Sequence, residues 1–272
     1  MYESYWGLSR APFDTAHAPE FYFPARSHHG ALLKLRYLIE NQKGCGVVVG
    51  DHGLGKTFLT YVLERELSAA CGPFVRILFP LISPAELLRY VGLQTGAIAA
   101  ESAAVPATDV VLTKLEHWLK SRGEAAGSPV LIVDDAHLLD PEHLQTLQFL
   151  LHLGPAGQGF TLILAGRSDL LPRIRRVPAL ADRVSVQTVL QPLSSDETPQ
   201  YVAHRLRTAG CGGAILAPAA VHAAWELSRG FPRSLNQLCD LSLLVGFAEG
   251  LKVLSRVDIE AAAEELTSVS SD

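Results

Sequence analysis

Two regimes of apolar patterning follow one another along the chain. Up to about residue 190, short apolar runs rich in β-branched residues alternate with segments of helical spacing. The runs are Cys45–Val49, Val75–Leu81, Val130–Val133, Thr161–Ala165 and Val184–Leu190. Val130-Leu131-Ile132-Val133 contains no polar position, as expected of a parallel strand covered on both faces. Between the runs, apolar residues suited to one buried helix face predict helices over Ser27–Asn41, Phe58–Ala70 and Ala107–Ser121. Two more are announced by their first turns. Ser83-Pro84-Ala85-Glu86 reads as a capping box with proline at the first helical position, opening a helix to about Gln94. Asp140-Pro141-Glu142 reads as the cap and first two positions of another, with Leu144, Leu147, Leu150 and Leu151 inward. Ser27 is expected to cap the first helix.

After Gln191-Pro192-Leu193 the pattern is purely helical. Ser194 and Glu197 form a second capping box, and helices are predicted over Asp196–Ala209, Pro218–Ser228, Pro232–Glu249 and Val257–Leu266. Ser255 with Asp258 is expected to cap the last. Thr95–Pro106 and Ser121–Pro129 read as loops, and Thr267–Asp272 as a frayed tail. The fold class is therefore α/β, with a central parallel sheet followed by a small all-helical domain. The expected division is an aromatic arm over 1–26, an α/β domain over 27–192 and a helical domain over 193–272. The arm carries Tyr2, Tyr5, Trp6, Phe13, Phe21, Tyr22 and Phe23, broken by Pro12 and Pro19. It is expected to pack on the domain surface, with a base-pocket wall as the sharper reading.

Candidate chemistry gathers where the runs end. Gly50-Asp51-His52-Gly53-Leu54-Gly55-Lys56-Thr57 follows the first run and precedes a helical pattern that begins at Phe58. This is a Walker A loop in the strand–helix context the motif requires. Its glycines let backbone N–H groups converge on phosphate oxygens, and the helix N-terminus adds partial positive charge. Lys56 is expected on the β- and γ-phosphates of ATP and Thr57 on Mg²⁺. Val130–Val133 ends in Asp134-Asp135, the Walker B context. Asp134 is expected to hold the metal through water, and Asp135 to orient the attacking water. A standalone metal site from Asp134, Asp135, His137, Asp140 and His143 is the competing reading. Arg167 and Ser168, at the end of the fourth run, are candidates for the γ-phosphate or the water. His28 and His29 read as surface or adenine-edge residues, and Arg76 as a rim residue.

Charge changes the picture locally. The 272-residue chain is 48% hydrophobic with formal net charge −5, so no global attraction to nucleic acid or acidic lipid exists. Yet Arg173, Arg175, Arg176 and Arg183 lie close together. Their functional reading is an arginine finger for a neighbour's ATP, and their plain reading a solvated face. Gly230-Phe231-Pro232-Arg233 places a guanidinium near a helix N-terminus, where the local dipole gives it no reason to sit. An external phosphate is the expected partner. Cys45, Cys71, Cys211 and Cys239 lack metal or redox spacing and read as reduced thiols of a cytoplasmic protein. Neither a signal peptide nor an apolar stretch of membrane-spanning length is apparent.

With both Walker motifs, the arginine cluster and Gly-x-x-Arg in place, the chain resembles the AAA+ ATPases of the ExeA/GspA secretion-associated family. More distantly it resembles the TniB-like transposition ATPases. The likeness runs from Met1-Tyr2 through Pro12-Phe13, Tyr22 and Ser27-His28 to both motifs. Leu164-Ala165-Gly166 resembles the sensor 1 strand, and Leu190-Gln191-Pro192-Leu193-Ser194 with Tyr201 and His204-Arg205-Leu206 resembles the start of the lid. Arg233 in Gly-Phe-Pro-Arg-Ser-Leu-Asn matches the sensor 2 arginine. The resemblance implies ATP and Mg²⁺ as cofactors. It also implies a homo-oligomer, ring or helical, with a hexamer favoured, and a trans finger from Arg176 or Arg183. Phe58 and His28 join the nucleotide-binding set.

The chain departs from the family at two site positions. Asp135 stands where glutamate is usual, which predicts slow turnover, and Arg167 where glutamine is frequent. The family's transmembrane and periplasmic regions do not occur in this sequence, so it reads as the ATPase module alone, recruited to the inner membrane by a partner without inserting. The expected function is an ATPase coupling nucleotide state to oligomerisation and to an envelope or secretion complex. Alternatives are a DNA-associated ATPase of the transposition-regulator type and a nucleotide-gated scaffold with little hydrolysis.

Overall fold

The computed structural model describes residues 1–14, 18–68, 71–78, 80–99, 106–122, 127–154 and 159–269. Five parallel strands form its one sheet among the described residues: β1 (Cys45–Val49), β2 (Phe74–Ile77), β3 (Val130–Val133), β4 (Thr161–Gly166) and β5 (Val184–Val189). Their order is β2-β3-β4-β1-β5. β1, β3 and β4 are buried at every position, as their unbroken apolar runs require. β5 is an edge strand, and its burial alternates residue by residue along most of its length. β2 is shorter than its apolar run. Ile77 pairs with Val133, the last residue of β3, and the Asp134 N–H closes the ladder on the Ile77 carbonyl. Beyond that point β2 has no partner strand.

The chain forms two compact units. The α/β unit comprises 29–52 and 56–190. It contains most of α1 (Arg26–Glu40), then α2 (Lys56–Leu67), α3 (Pro84–Gln94), α4 (Thr108–Ser121) and α5 (Pro141–His152). The Ser83–Glu86 box and the Asp140 cap form as expected. Two short helices follow β4 that periodicity missed, α6 (Leu170–Arg175) and α7 (Pro178–Ala181). They bury Leu170, Ile174 and Leu180 against the sheet's core. α2 begins at Lys56, two residues before the predicted start. Its predicted end at Ala70 lies outside the described residues, as do 100–105 and 123–126 of the expected loops. Arg76 is not at a rim: its guanidinium lies over the Tyr61 ring and donates to Thr60 and Glu64 of α2.

The helical unit comprises 1–28, 53–55 and 191–272. Its helices are α8 (Glu197–Thr208), α9 (Pro218–Ser228), α10 (Pro232–Ala248) and α11 (Arg256–Val269). The expected tail is helical as far as Val269, and 270–272 lie outside the described residues. The aromatic arm is part of this unit's core: Tyr2, Trp6, Phe13 and Phe21 are buried with Leu235, Leu238 and Leu243. Trp6 Nε1 donates to the Leu243 carbonyl at 3.0 Å. Arg205, itself buried, lies over the Phe21 ring and donates to the carbonyls of Pro12 at 2.5 Å and Asp14 at 2.7 Å. A buried guanidinium is costly unless its donors are used, and here the arm supplies the acceptors.

Ser27 does not cap α1. The helix starts one residue earlier, and the Arg26 N–H is taken by Glu197 Oε1 at 2.7 Å. The other oxygen of Glu197 accepts from the Ser194 N–H, while Ser194 Oγ accepts from the Glu197 N–H. One carboxylate thus serves two helix starts. Gly230 has φ +72° and approaches Leu193 so closely that a Cβ would stand 2.1 Å from the Leu193 carbonyl oxygen. Only glycine fits there. Among the described residues no helix is long and apolar enough to cross a membrane, and all four cysteines are free.

Candidate nucleotide site

In an open parallel sheet, ligands bind beyond the carboxyl ends of the strands. Three strand ends of the α/β unit carry the expected residues. β1 runs into Gly50-Asp51-His52, and the chain re-enters the unit at Lys56. β3 runs into Asp134-Asp135, and β4, which lies between β3 and β1, runs into Arg167. The Gly50 N–H bonds the Gly166 carbonyl at 3.2 Å, so the loop's first residue continues the ladder with β4.

Lys56 is buried, and its Nζ donates to the carbonyls of Gly50 at 2.9 Å and Asp51 at 3.0 Å. Burial lowers its pKa; the charges of Asp134, Asp135 and Asp51 oppose the shift, and Arg167 adds to it. An ammonium has three donors, so one remains beyond these two bonds for an anionic oxygen. Thr57 Oγ1 donates to Asp134 Oδ2, a bond between positions 77 residues apart. Asp134 is buried, and its Oδ1 accepts the Asp135 N–H at 3.0 Å. A hydroxyl and a carboxylate, side by side, are the hard oxygen donors that suit Mg²⁺, an ion that takes one or two protein ligands and otherwise water or phosphate.

Asp135 differs from Asp134 in every respect that matters for chemistry. Its side chain is 54% exposed, and its backbone is left-handed at φ 46°, ψ 34°. That region is open to aspartate and asparagine far more than to longer side chains. The imidazole of His137 lies beside it, with Nδ1 3.8 Å from Oδ1. The competing cluster does not form. Asp140 caps α5 and bonds His143 Nδ1 at 2.7 Å, and among the described residues no three His, Cys, Asp or Glu side chains converge.

The arginines separate. Arg167 is exposed at the carboxyl end of β4. Arg173, Arg175, Arg176 and Arg183 are all exposed, and Arg173 reaches the Leu139 carbonyl at 3.4 Å. Arg183 precedes β5, whose first residue pairs with Cys45, the first residue of β1. It therefore lies at the amino edge of the sheet, opposite the end where Lys56 and Asp134 sit. Arg176 ends α6. Ser168 and Asp169 lie exposed after Arg167.

The centre of the loop, Gly53-Leu54-Gly55, groups with the helical unit. Gly53 and Gly55 have φ +84° and +85°. His28 is buried, not at the surface, and its Nε2 bonds the Leu54 carbonyl at 2.7 Å. The Arg233 N–H donates to the Gly53 carbonyl at 3.2 Å. From sequence, His28 is expected at the surface or an adenine edge and Arg233 against an external phosphate; their attachment to loop carbonyls has no sequence signal. His52 and Phe58 are exposed and half-buried, respectively.

A family profile described as an AAA domain matches residues 39–174. General secretion pathway protein A of Aeromonas hydrophila is 30% identical over the whole chain, which spans 50% of that protein's length. Among solved structures, the Aeropyrum pernix ORC2 protein in ADPNP–ADP complexes aligns with TM-score 0.75 and 18% identity. That alignment covers 95% of this chain and 72% of the other. The Aeropyrum pernix ORC1 protein in complex with DNA aligns with TM-score 0.65 and 16% identity, covering 88% and 65%. At such identities these structures speak for the fold, an α/β P-loop NTPase architecture.

Proposed function

Because the chain belongs to the AAA domain family, we propose that it hydrolyses ATP with Mg²⁺ and that its nucleotide state governs self-association and engagement of duplex DNA. The observation that carries the ATPase reading is the bond from Thr57 to Asp134, which brings the Walker A hydroxyl onto the Walker B carboxylate beside Lys56. Lys56 holds the β- and γ-phosphates, assisted by N–H groups of Gly53, Leu54 and Gly55 and by the N-terminus of α2. Thr57 and Asp134 would hold Mg²⁺, which when bound would neutralise charge developing on the phosphoryl oxygens. Asp135, exposed at its strand end, accepts the proton of the attacking water as ADP leaves. Arg167 faces the γ-phosphate from β4, and Arg233 supplies the sensor 2 guanidinium. Arg176 or Arg183 serves a neighbour's site, since Arg183 lies at the wrong edge of the sheet for its own.

Duplex DNA is placed first among partners on two grounds. Proteins of similar fold include one solved with DNA, and Arg173, Arg175, Arg176 and Arg183 are exposed in an otherwise acidic chain. The second reading, an envelope or secretion complex, is favoured by the match of this whole chain to half of general secretion pathway protein A. Anisotropy of a labelled duplex, with and without a non-hydrolysable ATP analogue, separates them. Four phosphate contacts give a log–log salt slope of about −3.6, roughly a 150-fold loss of affinity between about 50 and 200 mM salt. No binding in either nucleotide state rejects the DNA reading and leaves the secretion reading. That reading is tested by pull-down on an Asp135→Asn bait held with ATP.

A further inference from the structure

Two carbonyls of the phosphate loop are held by hydrogen bonds within the helical unit. Gly53 O accepts from the Arg233 main chain, and Leu54 O from His28 Nε2. A trans peptide is planar, with its C=O and the following N–H pointing in opposite directions. Fixing the Leu54 carbonyl therefore fixes the direction of the Gly55 N–H, and fixing the Gly53 carbonyl does the same for the Leu54 N–H. Positive φ at Gly53 and Gly55 gives the concave run of N–H groups that binds anions. The loop's donors are aimed from behind.

The imidazole is built for this bond. A carbonyl only accepts, so Nε2 carries the proton and Nδ1 is the bare nitrogen. Nδ1 lies 3.2 Å from Ser27 Oγ, which in turn accepts the Gln191 N–H at 3.2 Å. The partner on one ring nitrogen fixes the role of the other. Burial, opposed by the bond to Leu54 and the charge of Glu197, lowers the pKa and keeps the ring neutral. The ring packs against the loop without crowding it: even a Cβ on Gly55 would stand 3.7 Å from Nε2, an ordinary contact.

We propose that His28 is a positioning residue of the phosphate loop: its Nε2–H, given to the Leu54 carbonyl, aims the Gly55 N–H at the nucleotide phosphates. This rests on the nucleotide-binding reading. It assigns His28 to the back of the loop, in place of the adenine edge expected from sequence. Three variants test it: His28→Met fills the volume without a donor, His28→Gln restores a donor of similar reach, and His28→Asn carries one that is a methylene short.

Calorimetry with Mg-ATP is expected to show about tenfold weaker binding for His28→Met, the scale of one modest hydrogen bond. His28→Asn should be similarly weakened and His28→Gln close to the parent. Parental affinity in His28→Met or His28→Asn overturns the proposal. So does equal weakening in the Met and Gln variants, which would mean that only ring volume matters. Should His28→Met fail to fold, the Gln–Asn pair decides. Long-range ¹⁵N–¹H spectra of the parent without nucleotide give an independent readout. The Nε2–H tautomer is expected, and the Nδ1–H tautomer overturns the proposal whatever ATP does. A parent that binds no ATP yet shows the Nε2–H tautomer removes the nucleotide-binding reading instead, and the aiming role with it.

Discussion

Asparagine at position 135 separates chemistry from folding more cleanly than any other substitution in this chain. Asp135 is left-handed at φ 46° with a side chain 54% exposed. Asparagine has the same shape and tolerates the same backbone region, so the backbone cost is close to zero. His137 Nδ1 lies 3.8 Å away, a pair worth at most about 1 kcal/mol at this exposure even with the imidazole protonated, and the attraction to Lys56 starts from an exposed side chain. Unfolding stability should therefore move by less than about 1 kcal/mol. Removing a general base costs about 10²–10⁴ in rate, or about 3–5 kcal/mol of barrier. Steady-state phosphate release from Asp135→Asn should fall by that factor while Mg-ATP affinity and the urea midpoint hold. Turnover within about tenfold of the parent, with affinity and midpoint unchanged, would refute the role. The usual alanine substitution confuses the result, because alanine in the left-handed region costs about 1–2 kcal/mol. Glutamate carries the carboxylate one methylene further, which should raise turnover, and at this φ it should also lose about 1 kcal/mol of stability.

Three further outcomes follow from the geometry. Gly230→Ala should cost about 2–3 kcal/mol in urea unfolding. Left-handed strain adds about 1–2 kcal/mol, and displacing the Leu193 carbonyl breaks its bond from Trp225 Nε1, worth about 1 kcal/mol; a neutral result would reject the close approach. His28 and His204 both have pKa values lowered from 6.5, chiefly by burial. The unfolded chain then binds protons first as pH falls through 6.5, and stability should drop between that pH and the lowered folded values. Unfolding midpoints at about pH 7.5 and 5.5 check the sign, and His204→Gln should shrink the drop. Mixing Lys56→Ala with Arg176→Ala or Arg183→Ala should restore part of the ATPase activity in mixed oligomers. No rescue with either arginine variant, despite demonstrated co-assembly, would remove the trans finger.

Most of this architecture was legible because it is periodic or locally capped. Unbroken apolar runs marked β1 and β3 to the residue, and Ser83–Glu86, Asp140 and Ser194–Glu197 marked three helix starts from groups within a few positions. What escaped depends on distant partners. Ser27 is a local cap candidate, but the group that satisfies the first N–H of α1, Glu197, lies 171 positions away. Helices α6 and α7 span six and four residues, too few for a period to emerge, and Pro172 and Pro178 break what pattern there is. The arm's aromatics were conspicuous, but that their core is shared with α8 and α10 depends on Arg205 donating to the arm's carbonyls and Leu243 accepting from Trp6. In the site, Lys56, Thr57 and Asp134 were readable as a set from motif spacing. The left-handed backbone of Asp135 and the bond from His28 to Leu54 were not, since neither leaves a mark on residue type beyond a short acid and a buried imidazole.

The central claim is that Lys56 and its loop bind Mg-ATP. Calorimetric titration of the parent and of Lys56→Ala tests it, with urea unfolding of both as the control for fold. Loss of the ammonium removes the charge-assisted bond that its one remaining donor can give to phosphate, worth about 1.5–3 kcal/mol. That corresponds to about a 10- to 150-fold loss of affinity with the fold retained. The account expects saturable binding by the parent and that loss in the variant. Equal affinity in both chains, or none in the parent, would contradict it.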